Sequence, residues 1–121
     1  MITDISPDRA IACGNVGDTV IDAVESKEKY DVLVLELSSF QIHWMKSAQF
    51  TASALLNIAD DHTDWHGDFE EYARTKISLL DSSSTGILNA DDSEVVKRSV
   101  HWKGRKVFFT LETPGPGEIG V

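Results

Sequence analysis

The sequence has a single cysteine, Cys13, so no disulfide can close within the chain, and nothing in it points to an oxidising compartment. No apolar run approaches the roughly 20 residues that a membrane span requires. The opening stretch MITDISPDRA lacks the basic start and apolar core of a signal peptide. A soluble, cytoplasmic protein with no membrane partner is expected. Basic residues are scarce: 11 Lys and Arg face 20 Asp and Glu, a formal charge of −9. A binder of phosphate backbones carries a basic stripe, so DNA and RNA are not expected partners. An acidic chain can still handle anionic ligands where backbone amides and a divalent ion supply local positive charge. Internal repeats are absent, and low complexity is limited to the three serines at 82–84.

At 121 residues the chain has the length of one domain. Short apolar runs at 9–13, 32–37, 54–58, 86–88 and 106–109 read as strands, and the segments 18–26, 69–80 and 93–100 read as helices. The runs VLVLEL and ALLNI have the unbroken apolar character of strands covered on both faces. Such alternation predicts an α/β fold, a mostly parallel sheet flanked by helices and built from right-handed crossovers. Residues 1–112 would form this domain, and the Pro- and Gly-rich end TPGPGEIGV, 113–121, a turn-rich tail or linker. In open parallel sheets ligands collect beyond the carboxyl ends of the strands. Polar stretches follow four of the predicted strands there: CGNVGD, ELSSFQIH, NIADDHTD and NADD.

The densest of these lies in SALLNIADDHTDWHG, residues 53–67, where a core run empties into Asp60, Asp61, His62, Asp64 and His66. One reading is a solvated loop in which Asp and Asn end a strand. The other is a cation or phosphate site, since hard divalent ions take carboxylate oxygens with imidazole as an occasional partner. In the helix that follows, Asp68 and Glu71 have the spacing of a capping box. Phe69, Tyr72, Ala73, Lys76 and Leu80 then recur every three or four residues on one face. Lys76 is the one charge in that stripe. It is either a snorkelling lysine or a lysine held near an anion-rich rim, with an amine that burial can make reactive enough to take up carbon dioxide as a carbamate.

Taken in order, GNVG, LELSSFQ, LNIADDHTDWHG, YARTK and LNADD resemble the central domain of the Mur ligases. ELSSFQ followed by DDH and YxxxK resembles the branch that adds D-glutamate to UDP-N-acetylmuramoyl-L-alanine. The resemblance implies a cytoplasmic, ATP-dependent ligase of peptidoglycan precursor synthesis, in which a carboxylate is phosphorylated and the acyl phosphate is attacked by an amine. It further implies that Glu36, His62 and carbamylated Lys76 serve Mg2+ and catalysis. Asn15, Ser38, Ser39 and Gln41 would contact the muramoyl-alanine portion, and Asn89 the nucleotide. Strand-end capping is the rival role for Ser38 and Ser39. Turn formation is the rival for Asn89, with Asp91 or Asp92 as helix cap. Asp60, Asp61 and Asp64 are expected to orient neighbours, Trp65 to act as an apolar lid and His66 to end a loop.

Two departures from the family pattern bear on function. No GxxxxGK[ST] loop occurs, so the backbone cradle and lysine for nucleotide phosphates are missing from these residues. Cys13 stands where the family usually has Gly before GN. The sequence therefore resembles a piece of the central domain beginning past the P-loop, and by itself it is expected to be inactive and to self-associate through uncovered apolar sheet. Two other readings stay open: a stand-alone module binding muropeptide precursors, and a small metal-dependent hydrolase using Glu36, Asp61 and His62.

Overall fold

Apolar runs become strands and amphipathic segments become helices in a computed structural model that describes residues 9–59 and 63–120, without the side chains of Thr63 and Asp64. The chain divides into two units, one ending at Gln41 and one beginning at Ile42.

In the first unit, β1 (Ala10–Gly14) and β2 (Val32–Glu36) pair in parallel from Ala10↔Val32 to Gly14↔Glu36. Helix α1 (Val20–Glu25) connects them. It starts where Thr19 caps it, the hydroxyl accepting the Asp22 amide at 3.1 Å, and it buries Ala23. Gly14 ends β1 with φ +116°, and a Cβ there would stand 2.5 Å from the Glu36 carbonyl oxygen. Glycine is the residue that lets these two strand ends approach so closely.

The second unit opens within α2 (Ser39–Trp44) and continues through β3 (Phe50–Leu55), α3 (Thr63–His66) and α4 (Phe69–Ile77). A 3₁₀ turn (Ser78–Ser82) leads to β4 (Ser83–Asn89), α5 (Ser93–Ser99), β5 (Arg105–Thr110) and β6 (Glu118–Gly120). The four strands pair in chain order and all in parallel, as the sequence predicts. Leu55, Ile58, Tyr72, Ala73, Leu80, Leu88 and Val95 are buried and form the core of this unit. Burying a leucine or valine side chain fully contributes about 1.5–3 kcal/mol.

Several elements differ from expectation for local reasons. Helix α4 ends at Ile77 rather than 80, because the Ser78 hydroxyl donates to the Thr75 carbonyl and the chain tightens into the 3₁₀ turn. Strand β3 runs earlier than 54–58. Beyond Leu55 the backbone is taken by side chains instead: Leu56 C=O accepts from Asn89 Nδ2 at 2.9 Å, and Ile58 N–H donates to Asp92 Oδ2 at 3.3 Å. The expectation that VLVLEL and ALLNI are covered on both faces is not met within their units. Ser53 and Leu55 are buried whereas Ala52, Ala54 and Leu56 are exposed, and β2 shows no fully buried residue. In the second unit α4 and α5 are tied to each other, and α5 packs on β4. The tail is turn-rich up to Gly117 and then supplies β6, paired from Phe108↔Glu118 to Thr110↔Gly120. A parallel connection usually takes about a dozen residues. So short a strand needs only a short return.

Candidate functional site

At the carboxyl ends of the first unit's strands, Glu36 and Asn15 lie side by side. Asn15 N–H donates to the Glu36 carbonyl at 2.8 Å, while its side-chain amide reaches Glu36 Oε1 only at 3.5 Å. Glu36 is exposed, and among the described residues it has no ion pair, so its carboxylate keeps nearly all of its acceptor capacity. Just beyond, Ser38 and Gln41 close a capping box: Gln41 N–H donates to Ser38 Oγ at 3.3 Å, and Ser38 N–H donates to Gln41 Oε1 at 2.8 Å. That reciprocal pair starts α2, and its S-x-x-Q signature stands in the sequence, although no helix was expected there. Ser39 is buried as the first residue of the helix.

The second unit's rim is built by NADD. Asn89 holds β3 through Leu56, and its Oδ1 accepts the Asp91 amide at 2.9 Å, which makes the turn that was its rival role. Asp91 binds the end of β5, accepting Thr110 Oγ1 at 2.6 Å and the Leu111 amide at 2.8 Å. These two bonds, the hydroxyl first, hold its carboxyl below the usual carboxylate range. Asp92 is the helix cap: Oδ1 accepts the Val95 amide at 2.9 Å while Oδ2 takes Ile58. Three consecutive strand ends are thus joined by four residues of one loop.

Lys76 lies in the last turn of α4, partly buried. Its ammonium reaches back one turn to stand 5.5 Å from the centroid of the Tyr72 ring, toward the helix N-terminus, as helical side chains tilt. Tyr72 is buried and packs on His66, 5.5 Å between centroids. His66 lies 4.6 Å from Trp65 and 6.4 Å from His43. The pairs HW at 43–44 and WH at 65–66 therefore meet in one aromatic cluster, with Trp65 and His66 on α3 rather than on a loop. Next to it a cleft of about 250 Å³ opens between Met45 and His43 on one side and Arg74 and Thr75 on the other. The α4–α5 tie is Arg98, whose guanidinium donates to Glu70 at 2.9 and 2.6 Å and to Glu94 at 2.7 Å, with Phe69 beneath it. Hydrogen bonding to Arg98 holds the Glu70 carboxyl below its usual range, and the same bonds push Arg98 up. In the first unit burial raises the Cys13 thiol, with Asp18 adding to the effect.

His62, Asp60 and Asp61 lie outside the described residues, as does the side chain of Asp64. Glu36 belongs to the first unit and Lys76 to the second, and each has its place only within its own unit. Among the described residues no group of three His, Cys, Asp or Glu side chains converges as a metal site.

Each unit is built on parallel strands with polar residues at their carboxyl ends, the pattern of an α/β protein. Residues 18–115 match the Mur ligase middle domain, and the chain is a member of that family. It is 41% identical to the UDP-N-acetylmuramoylalanine–D-glutamate ligase of Streptomyces coelicolor and 42% identical to that of Corynebacterium diphtheriae, each over 93% of this chain and 25% of the relative. The ligase of the same name from Rhodococcus jostii is 43% identical over 93% of this chain and 23% of its own length. The chain spans about a quarter of the curated relatives it matches. Neither the stand-alone binding module nor the small hydrolase gains support from these matches. No helix is long and apolar enough to cross a membrane among the described residues.

Proposed function

We propose that this chain supplies part of the catalytic domain of a cytoplasmic ligase that uses ATP and Mg2+ to join D-glutamate to UDP-N-acetylmuramoyl-L-alanine through an acyl phosphate. The observation that carries this reading is the 41 to 43% identity, over nearly the whole chain, to relatives named for that reaction. Glu36 adds support, because a strand-end carboxylate held by one long amide bond is free to take a hard cation.

Taken residue by residue, the proposed donors suit Mg2+ in part. Glu36 offers oxygen directly. Lys76 offers an ammonium and becomes an oxygen donor only as a carbamate: the neutral amine attacks carbon dioxide, an N–C bond forms and the nitrogen releases a proton. When bound, Mg2+ supplies charge neutralisation to phosphoryl oxygens. His62 would be the third member. Asn15 steadies Glu36. Ser38, Ser39 and Gln41 keep a polar helix start on the same unit for the muramoyl-alanine portion. Asn89 retains one N–H and one lone pair beyond its own turn, a capacity that suits an adenine edge. The loop that cradles nucleotide phosphates in this chemistry is not among the 121 residues.

The test is to replace the matching segment of the Streptomyces coelicolor relative with this chain and to measure phosphate release that depends on D-glutamate. The hybrid turns over, Glu36→Ala and Lys76→Ala each lower kcat by roughly 100-fold, and short carboxylic acids restore part of the Lys76→Ala loss. A folded hybrid whose phosphate release ignores D-glutamate, or a Lys76→Ala variant of unchanged rate, overturns the reading.

A further inference from the structure

The chain's net acidity conceals a basic segment. Residues 97–106, KRSVHWKGRK, hold five of the 11 Lys and Arg and no acid, whereas the rest of the chain has six basic against 20 acidic residues. We propose that the corner built by the end of α5, the α5–β5 turn and the start of β5 is a docking point for a short acidic polypeptide segment of another protein. This inference does not rest on the ligase reading.

Not every cation in the segment is available. Arg98 is committed to Glu70 and Glu94, and Lys106 donates to the Val100 carbonyl at 2.9 Å, closing the end of α5. Lys97 is 71% exposed and only loosely paired with Glu94, at 3.6 Å. His101, Lys103 and Arg105 are exposed, with no ion pair among the described residues. Val100, 56% exposed, adds an apolar contact beside them.

The corner is also stiff. Trp102 N–H donates to the Ser99 carbonyl at 3.1 Å, and the indole lies so close over Gly104 that a Cβ there would meet the ring at 2.1 Å. The cations are therefore presented on a fixed turn, which lowers the entropy lost on docking. They lie at the amino end of β5, away from the carboxyl-end rim that carries Asn89, Asp91 and Asp92.

The occupant follows from the charge distribution. A duplex nucleic acid or an anionic lipid plane extends well past a screening length of about 8 Å, and it would also confront the acidic remainder of the second unit. A short acidic segment touches the corner alone, where the complementarity is local.

The test titrates the full 121-residue chain against a fluorescein-labelled hexaglutamate peptide and follows anisotropy. Binding is expected at about 50 mM salt and weakens roughly tenfold by about 200 mM. Lys103→Glu combined with Arg105→Glu weakens it at least about tenfold, whereas Arg9→Glu combined with Lys29→Glu changes it by less than about twofold. Lys97→Ala with Lys103→Ala, which keeps the fold by circular dichroism, gives an intermediate loss. Absence of binding, an equal loss in the Arg9 and Lys29 pair, or tighter binding to heparin or to phosphatidylglycerol vesicles than to the peptide overturns the proposal.

Discussion

Asp92 carries two structural duties on one carboxylate, and removing it tests how the rim is held. Oδ1 caps α5 through the Val95 amide, and Oδ2 takes the amide of Ile58, which is itself buried. Loss of an N-cap costs about 1 kcal/mol. An orphaned buried amide costs about 1–3 kcal/mol, placed at the low end here by the 3.3 Å length of the Ile58 bond. Asp92→Ala is therefore expected to destabilise the second unit by about 2 kcal/mol, a fall in Tm of roughly 8–16 °C. Asp92→Asn keeps one carbonyl oxygen for the cap but presents an N–H donor where Ile58 needs an acceptor, so it should cost about half as much. Denaturant unfolding followed by tryptophan emission measures the loss, since all three tryptophans lie in the second unit. Amide exchange at Ile58 separates the two duties: it accelerates in both variants, while Val95 is deprotected only in Asp92→Ala. An Asp92→Ala variant within about 0.5 kcal/mol of the parent, the scatter of ordinary surface changes, would refute the double-duty account.

Acid should unfold the second unit through identifiable carboxyls. Glu70 and Asp91 both have folded pKa values below their unfolded ones, so the stability they contribute is present above the ordinary carboxylate range near pH 4 and disappears as pH falls through the folded values. The urea midpoint is expected to hold from about pH 7 to about pH 5 and then to drop. Glu70→Gln with Asp91→Asn flattens that drop, and an unchanged acid slope in the double variant would count against it. Gly14→Ala forces a side chain into positive φ and against the Glu36 carbonyl, with an expected cost of about 2 kcal/mol or more. Loss of amide protection at Asn15 is the measurement, and retained protection contradicts the close-approach account.

The order and type of the principal elements were legible because short apolar runs alternating with a capped amphipathic stripe leave few alternatives. Tyr72 and Ala73 are buried on the expected stripe, and Leu80 is buried as the third residue of a different kind of helix. Where elements differ from expectation, side chains take over backbone groups from a distance. Asn89 and Asp92, more than thirty residues downstream, end β3, and no local pattern in ALLNI records that. Helix α2 was within reach, since S-x-x-Q at residues 38–41 is a capping signature that had been given only ligand-contacting and capping roles. The basic corner escaped because a whole-chain balance averages over a ten-residue segment.

The strand ends of the two units carry two kinds of acid that a sequence cannot tell apart. Asp91 and Asp92 follow a strand just as Glu36 ends one, and by residue type all three qualify as ligands for a hard cation. Asp91 and Asp92 have each spent both oxygens on hydrogen bonds of 2.6 to 3.3 Å that fasten β5, α5 and the end of β3. A cation drawn to either would share its oxygens with bonds that hold the fold and would weaken them. Glu36 has a single long contact from Asn15 and lies at a strand end where Gly14 has already cleared the backbone. A carboxylate whose acceptor capacity the fold leaves unspent can exchange water for a metal at little structural cost, and that difference in satisfaction is why the cation proposed above is sought at Glu36 and not at NADD, whose acids serve the scaffold.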